Sequence, residues 1–162
     1  MVETPRHLAS LENEDHPSYD VHECIDLTMR ETRDDWSALA PVERHFLRAY
    51  EFDSRIQGGG LEDFFYHVNT RQAWHETAEA LEVIGAVELL PIFRRMIDKD
   101  GKTIEHYLGD EESDGLLLSE NYDQQFHDAR PGTEFLDKML YIERLLDAYV
   151  RVVYPWRNGG AR

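Results

Sequence analysis

The feature that most constrains the fold is an apolar stripe of helical period near the C-terminus. Six apolar residues follow one another at steps of 4, 3, 4, 3 and 4: Phe135, Met139, Ile142, Leu146, Tyr149 and Val153. Such a repeat aligns side chains along one side of an α-helix. Leu136, Leu140, Leu145 and Val150 widen the stripe, which favours a core helix over a coiled-coil seam or a dimer interface. Pro155 is expected to close this helix.

The same period recurs along most of the chain, whereas strict alternation of apolar and polar residues is hard to find. Helix starts are expected after Pro17-Ser18-Tyr19, at Pro41, at Thr70 and after Ser119. Asp20 and Glu23 have the spacing of a capping box for the first of these. The predicted fold class is therefore all-α, a single compact helical domain of about six or seven helices.

Glycines mark the expected breaks between these helices. The triplet Gly58-Gly59-Gly60 is expected to stop the second helix, and Gly85 the next one. A further helix is expected to end near Asp98, with residues 99–115 as a loop that contains the turn dipeptide Asp100-Gly101.

The 162 residues suggest one domain with two terminal additions. We expect an acidic N-terminal extension with one helix over 1–37, a helical domain over 38–155 and a tail over 156–162. Trp156, which lies in the tail, is a candidate contact residue because exposed tryptophan is frequent at interfaces.

The formal net charge of −16 is unevenly distributed. Residues 1–35 carry a net −7, and residues 105–128 carry −8 with no Lys or Arg at all. This field repels a nucleic-acid backbone and anionic membrane surfaces, so direct binding to nucleic acid or membrane is not expected. A basic protein partner is favoured.

Several other classes are disfavoured by the sequence. Cys24 is the single cysteine, so neither an internal disulfide nor a Cys-rich zinc site is expected. No run of about 18 apolar residues suggests a membrane span. The first residues lack the basic-then-apolar order of a signal peptide. A reducing, cytoplasmic setting is expected.

No catalytic residue, metal site or cofactor is predicted. Glu62 and Asp63 follow the glycine triplet directly and would repel a phosphate there. His67, His75, His106 and His127 lack ligand-like spacing, and the zincin-like run from His75 has Glu79 in place of the second histidine. Cys24 falls on an apolar helix face, which favours a buried inert thiol.

Three short motifs carry a family resemblance. Residues 56–65 read IQGGGLEDFF, residues 80–86 read ALEVIGA, and Tyr122 to Phe126 form an acidic stretch before the last helix. Together they resemble the DNA-mimic protein C-terminal domain family, whose pattern is N-G-G-F, an aromatic pair, and A-L-x-x-I-G-A. Gly58 stands where that family has asparagine, and Leu61 where it has phenylalanine. The resemblance covers roughly residues 38–153.

The resemblance implies a small, acidic, all-helical and dimeric protein that imitates DNA to bind a DNA-binding protein. It assigns a structural role to the motif residues Gly58, Gly59, Gly60, Leu61, Phe64, Phe65 and Gly85. The acids expected to face the partner are Glu105, Asp110, Glu111, Glu112, Asp114, Glu120, Asp123 and Asp128, together with Glu12, Glu14, Asp15 and Asp20 near the N-terminus.

Other functions stay open at this point. An immunity or antitoxin protein that neutralises a basic toxin would also be small and acidic, and a structural homodimer would need no ligand. An enzyme or metal-dependent module would have to use the scattered histidines. An acidic surface that serves only solubility is the simplest alternative of all.

Overall fold

The computed structural model of the chain describes residues 15–154, which form seven α-helices and no strand. The helices are α1 (Pro17–Thr32), α2 (Pro41–His67), α3 (Arg71–Val83), α4 (Leu90–Gly109), α5 (Tyr122–Ala129), α6 (Phe135–Met139) and α7 (Tyr141–Val153). The all-α prediction is confirmed over this range. Glu12, Glu14, Pro155 and the tail 156–162 with Trp156 lie outside the described residues.

The long helix α2 is the centre of the packing. It contacts α1, α3, α4, α5 and α7, and its Phe52 ring meets three other rings edge to face. The centroids of Phe64, Phe93 and Phe126 lie 5.4, 5.4 and 5.5 Å from that of Phe52. This geometry is favourable for aromatic pairs and joins α2, α4 and α5 in one core.

Helix α1 belongs to the same core. Its residues Val21, Cys24 and Ile25 are buried, as the apolar spacing predicts, and the helix packs mainly on α7 and α2. The capping box expected at Asp20 was wrong, because α1 begins at Pro17 and places Asp20 inside its first turn, where it is buried.

The glycine triplet divides α2 into two helical stretches. Gly58 and Gly59 keep helical geometry, and only Gly60 departs from it, with φ 73° and ψ −166°. The expectation that the triplet stops the helix is therefore confirmed at Gly60, and a second helical stretch follows directly from Leu61 to His67. An L side chain rarely adopts such a positive φ, so this break needs glycine.

Helix α3 forms as the sequence predicts. The Thr70 hydroxyl accepts a hydrogen bond from the Ala73 N–H at 3.2 Å, which satisfies a donor at the helix start. The helix ends at Val83, and Gly85 follows with φ 83°.

Helix α4 is longer than expected. It runs past Asp98 to Gly109, so the turn expected at Asp100-Gly101 was wrong. Gly101 has a packing role instead, because a Cβ there would lie 2.5 Å from Nη1 of Arg71 on α3. The bare backbone lets the Arg71 side chain lie across α4.

The C-terminal stripe is divided between two helices. Leu140 leaves helical geometry with φ −83° and ψ 3°, which separates α6 from α7. Ile142 and Leu146 are buried on α7, but Phe135 is 68% exposed and Met139 is 38% exposed. The expectation of one continuous core helix was wrong for these two residues and for Leu136, which is 61% exposed, because the helix breaks at Leu140.

Among residues 15–154, no helix combines the length and hydropathy that a membrane span requires.

Candidate protein-binding surface

The acidic segment, residues 105–128, comprises the last turn of α4, a loop and helix α5. Its eight carboxylates serve three different purposes in the structure. Some are paired with basic side chains, some are bound within the fold, and some have no basic partner among the described residues. This division determines how much negative charge the segment presents to a partner.

Two carboxylates are neutralised by basic side chains of neighbouring helices. Arg71 donates two hydrogen bonds to Glu105, at 2.6 and 2.9 Å. Lys99 donates one to Glu120 at 2.9 Å, and Arg95 lies 3.6 Å from the same carboxylate. These hydrogen bonds hold the pKa of Glu105 and Glu120 below the usual range.

Two carboxylates of α5 are used within the fold. Asp123 accepts a hydrogen bond from the Leu61 N–H at 3.3 Å, beside the break at Gly60. Burial raises the pKa of Asp123, and this hydrogen bond opposes the rise. Asp128 accepts a hydrogen bond from the Gln124 side chain at 2.8 Å. Asp123 thus stabilises α2 in addition to contributing charge.

The remaining four carboxylates occupy the acidic loop, which we define as residues 110–114. Asp110, Glu111, Glu112 and Asp114 are exposed and form no ion pair with Lys or Arg of the described residues. A turn shapes the loop, with the Glu112 N–H donating to the Asp110 side chain at 3.1 Å. Most of the uncompensated charge of the segment lies here, and Asp128 on α5 is likewise exposed without a Lys or Arg ion pair among the described residues.

The chain that follows the acidic loop is anchored to α4 by a buried carboxylate. Asp100 accepts hydrogen bonds from the Ser119 N–H at 3.0 Å, the Ser119 hydroxyl at 2.7 Å and the Tyr122 hydroxyl at 2.8 Å. Burial favours the neutral form, but these donors outweigh it and lower the pKa of Asp100. On the other side of the loop, the Tyr107 hydroxyl donates to Glu62 at 2.5 Å.

The described acids near the N-terminus, Asp15 and Asp20, belong to the start of α1 and the residues before it. Asp15 is exposed, and its carbonyl accepts a hydrogen bond from Arg151 of α7 at 3.3 Å. Asp20 is buried, so it presents no charge at the surface. The chief packing partners of α1 are α7 and α2, whereas those of α5 are α2 and α4.

One cluster of ionisable groups was missed from the sequence. His16 Nδ1 lies 3.4 Å from a carboxylate oxygen of Glu143 and 3.5 Å from one of Asp147. Among residues 15–154, these are the three side chains of a type that binds metal ions that lie closest together. The spacing of Glu143 and Asp147 on α7 was a usable signal, since residues four apart share a helix face. Asp147 also accepts the Ser18 N–H at 2.9 Å, which ties α7 to the start of α1.

A groove of about 710 Å³ lies between α2 and α3, away from the acidic segment. Its polar groups are engaged with one another. Arg48 stacks 3.7 Å over the Trp36 ring and donates to Glu76 at 2.8 and 3.0 Å. His45 lies 3.5 Å from Glu79. The groove therefore presents mainly side chains that already have partners.

One protein-family model covers most of the chain. The family model described as DMP19-like protein matches residues 37–152, more than two thirds of the chain. The chain belongs to the DMP19-like protein family. No curated protein and no solved structure matches the sequence. The narrower family name suggested by the motifs, that of a C-terminal domain, stays a prediction.

In this DMP19-like protein the motif residues are part of the scaffold. Leu61, Phe64 and Phe65 are buried, and Gly60 and Gly85 adopt positive φ. The acidic loop lies inside the matched range, whereas α1 precedes it. The scaffold and the uncompensated charge thus lie in different parts of one family domain.

Proposed function

We propose that this protein binds a basic protein as a DNA mimic and occupies the surface with which a DNA-binding protein holds its duplex. The observation that carries the proposal is the acidic loop. Its four exposed carboxylates lack Lys and Arg partners among the described residues, while Glu105 and Glu120 beside it are neutralised. Membership of the DMP19-like family is compatible with this function.

The mode of action is electrostatic. A surface dense in one sign of charge accelerates encounter with a surface of the opposite sign, and exposed charges lose this effect as salt rises. The lysines and arginines that neutralise DNA phosphates on the partner would instead face the carboxylates of the acidic loop. The protein itself performs no catalysis and binds neither nucleic acid nor membrane.

The anchoring of the segment supports this function. Hydrogen bonds to Asp100 hold Ser119 and Tyr122, and the Leu61 N–H binds Asp123. A charged surface that is held before binding loses less conformational entropy when the partner arrives.

We place the protein in the cytoplasm, where a single buried thiol such as Cys24 stays reduced. We also expect a homodimer, as the family resemblance implies.

The test is capture of binding proteins from a lysate of the source organism. The tagged chain is immobilised and incubated with the lysate at about 50 mM and about 500 mM salt, with and without competing duplex DNA. We expect it to retain DNA-binding proteins that both duplex DNA and high salt release. A single toxin held tightly and not displaced by DNA would replace this proposal with an immunity or antitoxin function. Retention of no basic protein would also contradict it.

A further inference from the structure

An apolar groove borders the acidic segment between α5, α6 and the middle of α2. Its walls include Ile56, Phe126, Phe135 and Met139, and its volume is about 210 Å³. Phe135 is 68% exposed, which is unusual for a side chain of this size. A volume below the roughly 300 Å³ of small-molecule sites suits one amino-acid side chain better than a cofactor or metabolite.

The basic side chains beside this groove are engaged within the protein. Lys138 donates to the carbonyls of His127 and Asp128, at 3.1 and 3.4 Å, at the end of α5. Arg130 is buried and lies 2.8 Å from the carboxylate of Asp53. The positive charge of Arg130 is thus balanced inside the core, and that of Lys138 is directed at the C-terminal carbonyls of a helix.

Acidic side chains outnumber Lys and Arg over residues 122–139, which include α5 and α6, although Lys138 and Arg130 also line the groove. Asp123 lines the groove, and Asp128 and Glu134 are exposed on the elements that form it. Asp123 also lines the adjacent depression that contains Glu62 and Glu120. The apolar groove and the acidic segment consequently form one continuous surface.

We propose that this groove receives one large apolar side chain, phenylalanine or leucine, from the same basic protein segment that the acidic loop attracts. The inference rests on the proposed function and specifies its partner. Charge complementarity selects a segment rich in Lys and Arg, and the groove selects an apolar residue within it. Large side chains that fill a pocket at the centre of an interface dominate its affinity, while rim charges mostly govern encounter.

The test uses two synthetic lysine-rich peptides of equal charge and length, one with a central Phe and one with Ala in its place. Each is titrated into the full chain and followed by NMR. We expect the Phe peptide to bind about tenfold more tightly, equivalent to about 1.4 kcal/mol, since the groove removes its apolar side chain from water. It should shift the signals of Met139 and Phe126, whereas the Ala peptide should shift those of the acidic loop alone.

A matched pair of variants separates the groove from general surface hydrophobicity. Phe135→Ala removes a groove wall, whereas Leu136→Ala removes a neighbouring side chain that is 61% exposed and does not line the groove. We expect Phe135→Ala to abolish the preference for the Phe peptide and Leu136→Ala to retain it. Both residues are exposed, and a urea unfolding curve of each variant verifies the fold.

The outcomes distinguish this inference from the proposed function. The two peptides could bind with equal affinity and shift only the signals of the acidic loop. That result would overturn the proposal that the groove receives a side chain, and it would leave the proposed function of the acidic loop intact. Binding of neither peptide would contradict both. Equal effects of Phe135→Ala and Leu136→Ala would also overturn the groove.

Discussion

The carboxylate of Asp123 accepts a hydrogen bond from the backbone N–H of Leu61, 3.3 Å away and 62 residues earlier in the chain. Leu61 begins the helical stretch that follows the break at Gly60, and donors at a helix start have no acceptor within their own helix. Asp123 therefore caps the second part of α2 from another element. The same bond fixes α5, and with it the end of the acidic segment, to the central helix.

Removal of this cap should destabilise the protein. Asp123→Ala is expected to lower the free energy of unfolding by about 1 kcal/mol, the usual effect of losing an N-terminal cap. Asp123→Asn keeps an oxygen acceptor and should lose less. Urea denaturation measures both, and equal losses would show that the carboxylate does not act as a cap.

Gly60 is the one glycine of the triplet with a positive φ. Gly60→Ala forces an L side chain into φ 73° and should cost about 1–3 kcal/mol of stability. Gly58→Ala is the control, because a Cβ there meets nothing within 4 Å and the residue is helical. It should stabilise the protein by about 0.5–1 kcal/mol. Thermal unfolding measures the stability of both variants. A loss of stability in Gly58→Ala would contradict the assignment of the break to Gly60.

Gly101 permits the pair between Arg71 and Glu105. In Gly101→Ala the new Cβ would displace the Arg71 guanidinium, which is the flexible end of a side chain. The loss of an exposed ion pair, about 0–1 kcal/mol, is offset by the better helix propensity of alanine, so stability should change little. The lowered pKa of Glu105 should return toward its ordinary value in an NMR titration. An unchanged titration would show that the pair survives.

The Asp100 anchor predicts a dependence on pH. Its pKa is lowered in the folded protein, so its stabilising contribution is present above the ordinary value of 3.8 and is lost as pH falls through the folded value. Asp100→Asn should reduce stability at pH 7 by about 1.5–3 kcal/mol, the range for hydrogen bonds to a charged group. Urea unfolding should show a smaller difference between the two proteins near pH 3. A constant difference would contradict the shift.

Local signals predicted several helix ends correctly. Pro41 begins α2, and Thr70 caps α3 through its own hydroxyl. The buried face of α1 with Val21, Cys24 and Ile25 was also readable, because its spacing is a property of a single helix. Each of these features depends on residues only a few positions apart.

The features that the sequence did not predict depend on distant residues. The helical stretch after Gly60 has its Leu61 N–H bonded to Asp123 of α5. Gly101 lies inside α4, where a Cβ would meet Arg71 of α3. A local rule treats Gly101 as a breaker, since it contains no information about what packs against the backbone.

The same limit applies to the candidate site. The sequence identified the acidic segment and its lack of Lys and Arg. It did not reveal that Arg71 and Lys99, 34 and 21 residues from their partners, neutralise Glu105 and Glu120. Nor did the period of the last stripe reveal that Phe135 would be exposed, because the break at Leu140 leaves that period unchanged.

The central claim concerns the acidic loop, and the affinity for a captured partner tests it most directly. The dissociation constant is measured at about 50 mM salt for the unmodified protein and for two triple variants of equal charge change. One combines Glu111→Gln, Glu112→Gln and Asp114→Asn. The control combines Glu79→Gln, Glu88→Gln and Asp98→Asn, three exposed acids without Lys or Arg ion pairs among the described residues. We predict about tenfold or greater weakening for the loop variant and about twofold or less for the control. Equal losses in the two variants would contradict a special role of the acidic loop.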